Sequence, residues 1–462
     1  EILVENGFEV ELGVAGIPSS WWATWGSGEP IIALGSDVDG IPRASQMPGV
    51  AYRQPMIEGA PGHGEGHNSG QAVNIVAALA VKEIMEREGL PGTIVLWPGI
   101  AEELLGTKAW YARDGMFDGV DAVLFTHVGS NLGVSWGDSR GTGLVSVEYM
   151  FDGVSAHGAG SPWRGRSALD AVELMNVAWN FRREHLSPLQ RSHYVISDGG
   201  DQPNVVPSYA SVWYFVREIT ADNILENFNT LNQIAEGASL MTDTTMSQRI
   251  VGAAYPRHYN KPIALAMDEN LRKVGLPTWS EDDQRFAKAL QTLMGSDDPQ
   301  GLASELSGIG EPPENPISGG SDDIGDVSWN VPTVRLSYPS NVRGLVGHHW
   351  SSAMAMATPI AHKGAIAGAK VIATTLLDLV QNDTLVDEAQ AYFDDVQTAE
   401  EQYQPFIGPD DSPAIEKNQD IMAQFRPLLE KLYYDPSRYD TYLEQLGIEY
   451  PQLEADVIQR GN

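Results

Sequence analysis

GQAVNIVAALAVKEIMEREGLPGTIVLWPGI, running from Gly70 to Ile100, changes its period part-way along. The first two-thirds carries apolar residues at helical spacing and stops at a Gly-Leu-Pro-Gly turn. The remainder is a short apolar strand. Working outward, IIALGSDVDG (residues 31–40) and DAVLFTHVG (residues 121–129) are further apolar strands ending in turn residues, and the opening EILVENGFEVELGV reads as the end of a helix followed by a strand. Strands alternating with a helix in this order predict an α/β fold built on a largely parallel sheet.

The texture changes near residue 140. GLVSVEYMFDG and SYASVWYFVRE alternate like half-exposed antiparallel strands, and ALDAVELMNVAWNFRREH is an amphipathic helix. Residues 141–253 therefore read as an inserted α+β domain. The α/β texture resumes over 254–382 and ends in the helical HKGAIAGAKVIATTLLDLV. The last 80 residues, rich in Glu, Gln, Asp and Tyr, read as an added helical extension, 383–462. No internal repeat or low-complexity segment is visible.

A chain of 462 residues has the length of two or more domains. Its formal charge of −33 repels phosphate backbones, so nucleic acid is not an expected partner. No apolar run approaches the roughly 20 residues of a membrane span. The absence of cysteine excludes disulfides, thiolate zinc sites and cysteine nucleophiles. It leaves the compartment open between cytoplasmic and exported.

Sites in α/β sheets gather where strands end. Four such places carry chemistry here: Asp37 and Asp39 in SDVDGIP; His63, Glu65 and His67 in PGHGEGHNSG; Glu102 and Glu103 in WPGIAEELLG; and His127 in FTHVG. Each has a plainer reading. A strand-end histidine is often a satisfied structural group, paired glutamates favour a helix start, and a Gly-rich loop is often only a turn. Together, imidazole and carboxylate at successive strand ends suit a hydrolytic divalent-metal site. One glutamate can bind metal while its neighbour takes a proton from a water whose pKa the metal lowers towards about 7.

SDVDGIP, HGEGHN, AEE and THV follow one another in the order and approximate spacing of the M20 metallopeptidase family. The chain resembles the amidohydrolase branch of that family, with the aminobenzoyl-glutamate hydrolases (B-subunit type) and the auxin-conjugate hydrolases. The likeness continues through DGVSAHGAGSPWRGRSALDAV, DQPNVVPSYASVWYFVRE, GGSDDIGDVSW and GHHWSSAMAMATPIAHKG, and so covers roughly residues 1–382. It implies a zinc-peptidase-like catalytic domain with a mixed, mostly parallel sheet (1–140 plus 254–382), interrupted by an α+β lid and dimerisation domain (141–253).

The same resemblance implies two divalent ions per chain, zinc or manganese, with Glu102 as general base and His67, Glu103 and His127 as ligands. The remaining ligand comes from GHHW, where His348 is favoured over His349; His362 in the following helix is then structural. The branch usually places a bridging cysteine where this chain has Glu65. A carboxylate can also bridge two cations, and it shifts preference towards oxygen-loving metals. A single-metal site and an inactive relative are the other consequences of that exchange. His63, Asp37 and Asp39 would orient the ligands.

In such relatives the inserted domain forms a homodimer and reaches the partner's site. His157 would contact the reacting carbonyl oxygen across that interface, where a donor stabilises developing negative charge. Asn204, Arg217 and His193 would hold substrate, and an arginine fork suits a carboxylate; Arg217 also has the plain reading of a surface arginine paired with an acid. Asp322, Asp323 and Asp326 either line the site or cap a turn. The expected activity is cleavage of the amide bond in N-acyl or N-aroyl amino acids, aminobenzoyl-glutamate-like compounds among them. The alternatives are a dipeptidase or aminopeptidase of the same fold and an inactive ligand-binding relative. A homologous partner subunit is a further expectation, because aminobenzoyl-glutamate hydrolases work with one.

Overall fold

The computed structural model describes residues 1–138, 141–312 and 319–454. The chain lays down β1 (Glu9–Leu12), β2 (Trp21–Ser27), β3 (Ile31–Asp37), β4 (Gly92–Gly99), β5 (Ala122–Val128) and β6 (Gly133–Val134). It departs through β7 (Gly143–Asp152), β8 (Arg191–Asp198), β9 (Tyr209–Glu218) and β10 (Thr245–Ala254), and returns with β11 (Thr333–Tyr338). Between these strands and after them lie α1 (Gly70–Glu88), α2 (Ala168–Arg182), α3 (Ala221–Thr242), α4 (Lys261–Val274), α5 (Glu281–Leu293) and α6 (Pro359–Gln381).

The central sheet has the order β1-β2-β4-β3-β5-β11-β6. Its middle strands β4, β3, β5 and β11 are parallel; β1, β2 and β6 add antiparallel edges. The parallel strands are apolar on both faces because helices or loops cover both. Ile32, Leu34, Ile94, Leu96 and Leu124 pack with Val73, Ala77 and Val81 of α1, Ile263 and Met267 of α4, and Val371 and Ile372 of α6. The alternate residues Ala33, Val95, Trp97, Val123 and Phe125 face Trp110, Tyr111 and Phe117. The period of two along a strand thus supplies two cores from one sheet.

Helix α6 is the one described helix long and apolar enough to cross a membrane. More than half of it is buried within the protein, against α1 and β11. Gly364 and Gly368 permit that approach: a Cβ at Gly364 would lie 2.2 Å from Pro339 O, and one at Gly368 would lie 2.9 Å from Tyr338 Cβ.

The second sheet, β10-β7-β9-β8, is antiparallel throughout. Helices α2 and α3 cover one face, where Trp179, Met175 and Leu231 bury Val147, Tyr149 and Tyr214. The other face carries Leu144, Ser146 and Glu148 of β7 and Trp213, Phe215 and Arg217 of β9, and it turns towards the central sheet. Beyond α6 the chain is helical only in pieces, at Asp383–Tyr392, Gln419–Leu429 and Tyr442–Leu446, with an irregular stretch over 398–418.

Candidate metal centre and active site

Because β4, β3 and β5 are parallel neighbours, their C-terminal ends open onto one edge of the sheet. Strand β3 ends at Asp37, two residues before Asp39. Strand β5 places His127 at its penultimate position, and β4 ends at Gly99, ahead of the one-turn helix Glu102–Leu105. Ala101 enters that helix with φ 51°, and His348 reaches the same edge with φ 53°. Left-handed backbone at non-glycine residues persists only where surrounding structure holds it, and it clusters at functional sites.

Asp39 organises the cluster. Its Oδ1 accepts from His67 Nδ1 at 2.9 Å, its Oδ2 accepts from the Glu103 amide at 2.9 Å, and its backbone oxygen lies 3.2 Å from His63 Nδ1. His127 Nδ1 donates to Val128 O at 2.8 Å. Both acceptors can only accept, so the Nδ1 atoms of His67 and His127 carry the protons. Their Nε2 atoms then face each other at 3.2 Å, close enough to share one proton or one cation. Burial opposes the charged form of His67, but Asp39, Asp37 and Glu103 outweigh it and hold the ring up at about 9. Burial, with Arg335 and His67 adding to it, pushes His127 down to about 3. Two imidazoles with Nδ1 anchored and Nε2 converging are a fitting donor pair for a divalent ion.

Carboxylates complete the donor set. Ligand atoms of Glu65, Glu103 and His348 lie within 4.8 Å of one another, as do those of His67, Glu102 and Glu103. His348 Nε2 is 3.1 Å from Glu103 Oε1 and 4.0 Å from Glu65 Oε2. His349 points elsewhere: its Nδ1 lies 2.9 Å from Ser351 Oγ and caps the helix Trp350–Ala353. His362 is exposed on α6, away from the cluster. Glu102 is pushed well above the ordinary carboxylate range by burial and by Asp322, Asp37 and Asp323, with Lys108 opposing. Such a shift moves a carboxylate towards the proton affinity a general base needs.

Beneath these groups runs a buried charge network. Lys108 is fully buried; its Nζ donates to Asp37 Oδ1 at 2.5 Å and to Asp323, and its amide donates to Asp323 Oδ2 at 2.9 Å. Asp322 pairs with Arg257 at 3.4 Å and Arg335 at 3.2 Å. Burial opposes its charge, yet Lys108, Arg257 and Arg335 hold it well below the usual range. Asp322 and Asp323 therefore line the site, whereas Asp326 accepts from the Tyr255 amide and the Tyr403 hydroxyl outside it. Lys108, Arg257 and Arg335 escaped sequence reading. The available signals were a lysine opening an otherwise apolar helix, KAWYA, and an arginine inside the apolar strand TVRLSY.

The cluster opens into a cavity of about 310 Å³, with the open face of the second sheet as its far wall. Leu144, Ser146, Phe215 and Arg217 stand on that wall. Arg217 Nη1 donates to Ser321 Oγ at 3.3 Å, and its buried Nε has no partner among the described residues. Gly252 and Gly106 let the two halves meet: a Cβ at Gly252 would lie 2.1 Å from Leu105 O, and one at Gly106 would lie 2.4 Å from Ala253 O. His157 and Asn204 lie together, joined by the Gly158 amide to Asn204 O bond of 2.8 Å. Both are exposed and outside this cavity, as is His193 on the edge strand β8.

Known proteins resemble this chain in sequence and fold. Residues 141–240 match the peptidase dimerisation domain of M20 enzymes. The B-subunit of p-aminobenzoyl-glutamate hydrolase from Escherichia coli K12 is 34% identical over 413 residues, covering 84% of this chain and 85% of its own. The chain belongs to the M20 peptidase family. It is accordingly a hydrolase with that family's α/β fold. A further relative, the Xaa-Arg dipeptidase of Mus musculus, is 26% identical over 82% of this chain and 78% of its own. The crystal structure of an aminobenzoyl-glutamate utilization protein from Klebsiella pneumoniae shares the fold, with TM-score 0.54 and 18% identity over 82% of this chain and 88% of that one.

Proposed function

We propose that this M20 hydrolase is a metal-dependent amidohydrolase acting on N-acyl or N-aroyl amino acids with a free carboxylate, aminobenzoyl-glutamate-like compounds among them. The observation that carries the reading is the lining of one cavity: imidazoles and carboxylates able to hold metal, with Arg217 and its spare buried N–H on the facing sheet. Glu65, His67, Glu103, His127 and His348 would hold two divalent ions, zinc or manganese. Bound there, such ions supply Lewis-acid polarisation of the amide carbonyl and a more acidic water.

The protein's own groups do the rest. Glu102 takes the proton from the attacking water and returns it to the leaving nitrogen. Asp39 keeps His67 in one tautomer and ties the Glu103 backbone to it. The half-buried Arg217 receives the substrate carboxylate in a charge-assisted hydrogen bond. We assign His157, Asn204 and His193 to the neighbouring subunit's site, since all three are exposed and outside the cavity of their own chain. The corresponding division is a catalytic unit (1–140 with 254–382), a lid and dimerisation unit (141–253) and an extension (383–462). Supporting the reading, the relative from E. coli is named for aminobenzoyl-glutamate. An arginine lining the cavity favours an acidic substrate over the basic C-terminus for which the dipeptidase is named.

The test is hydrolysis by chelated protein reloaded with Mn²⁺ or Zn²⁺, offering p-aminobenzoyl-glutamate beside an Xaa-Arg dipeptide. Turnover of the acyl amino acid, with KM raised about tenfold or more in Arg217→Met, is expected. Preference for the dipeptide would overturn the substrate class. Binding without turnover under either metal would establish a ligand-binding relative instead.

A further inference from the structure

The C-terminal extension crosses the junction between the two sheets. On the body, Tyr403 donates to Asp326 at 2.7 Å, Phe406 stacks on Tyr255 at 5.1 Å, and Arg113 donates to the carbonyls of Gly408 and Asp411 at 3.1 and 2.7 Å. Tyr255 immediately follows β10, where the chain leaves the second sheet. Fourteen residues after Tyr403, the extension is fastened to the second sheet. Lys417 Nζ donates to Glu148 at 2.9 Å and lies 4.6 Å from the Trp213 ring, and Arg249 of β10 bridges Glu148 and Glu416. Between these anchorages Ala414 is buried against Leu105 and Val251.

The register of the second sheet makes this attachment consequential. Side chains two apart on a strand share a face. Glu148 therefore stands beside Ser146 and Leu144, and Trp213 beside Phe215 and Arg217. The open face thus has a cavity end and an extension end, two residues apart along each strand. Leu105, on which Ala414 rests, closes the turn that begins with Glu102 and Glu103.

We propose that residues 401–417 are a strap that sets the angle between the two sheets and, through Ala414 and Leu105, positions the Glu102–Leu105 turn. The strap reaches both sides of the cavity without entering it. The body holds it by aromatic burial and hydrogen bonds and the second sheet by charge, so the second-sheet end is the one that can be released by removing the Glu416 and Lys417 charges. Only the catalytic consequence rests on the hydrolase reading; the mechanical one does not.

The full chain, free of cysteine, accepts paired spin labels at Glu83→Cys on α1 and Glu236→Cys on α3, both exposed positions. Distances would be measured in the native strap, in Glu416→Ala/Lys417→Ala and in Ala414→Asp, with circular dichroism as the folding control. The strap predicts a narrow native distribution that broadens and shifts in both variants, and a fall in kcat in unlabelled protein at unchanged metal content. Should Ala414→Asp fail to fold, the surface pair decides. An unchanged distribution while protease cuts the released 401–417 segment would overturn the proposal. The distance measurement needs no substrate, so it remains decisive even if the hydrolase reading fails.

Discussion

A carboxylate at position 65 changes what the loop before α1 can hold. Glu65 and Glu103 both approach His348, so removing Glu65 should remove one of the groups able to join two cations. Elemental analysis of unchelated Glu65→Ala is expected to show metal falling from about two ions per chain to about one; an unchanged content would deny Glu65 a bridging role. Glu102 is different in kind, because its removal should spare binding. Glu102→Gln is expected to keep metal while kcat falls about 10²–10⁴-fold. Retained turnover would take the base role from it.

Whole elements meet at the site through residues without side chains. Gly252 sits at a bulge in β10, where the register shifts, and lies against Leu105 O. Gly252→Ala forces backbone apart there, so kcat should drop about tenfold or more with fold retained, as comparison of activity with thermal unfolding would reveal. Elsewhere, Asp283 near the start of α5 accepts from the Ser280 amide at 2.8 Å, from Lys363 of α6 at 2.6 Å and from Tyr450 of the extension at 3.2 Å. Burial opposes its charge, but the Lys363 and Ser280 hydrogen bonds outweigh it and leave the pKa lowered. A carboxyl lowered on folding stabilises above its unfolded pKa of about 4 and loses that stability as pH falls through the folded value. Asp283→Asn should therefore cost about 1–3 kcal/mol near pH 7 and flatten the acid limb of the stability profile, measured by denaturant titration at several pH values. An unaltered acid limb would place the acid transition elsewhere.

At the scale of the molecule, the site as one chain presents it lacks His157, which faces outward near Asn204. If a symmetric dimer exchanges these groups, His157→Ala and Glu102→Gln are each inactive for different sites. Mixed one-to-one after subunit exchange, they should regain roughly a quarter of native activity, because half the dimers are hybrids with one intact site of two. No recovery after demonstrated exchange would confine the site to one chain.

Much of this organisation was readable from residue order. Parallel strands whose ends carry Asp37, Asp39, Glu102, Glu103 and His127 must open on one edge, because strand direction and period are local properties of the chain. The alternation in β7 and β9 likewise announced a sheet with one covered face. Other assignments depended on partners hundreds of residues away. His348 rather than His349 reaches Glu103 because the backbone at 348 turns left-handed and 349 is spent on a cap. Asp322 and Asp323 enter the site while Asp326, on the same short segment, turns to Tyr403. Lys108 was passed over in the sequence, because only the packed chain brings three carboxylates around it. The extension has neither helical nor strand period over 398–418, so nothing local told which surface it would cover. Periodicity encodes what a segment buries; only the packed chain settles against whom, since that contact energy belongs to both partners at once.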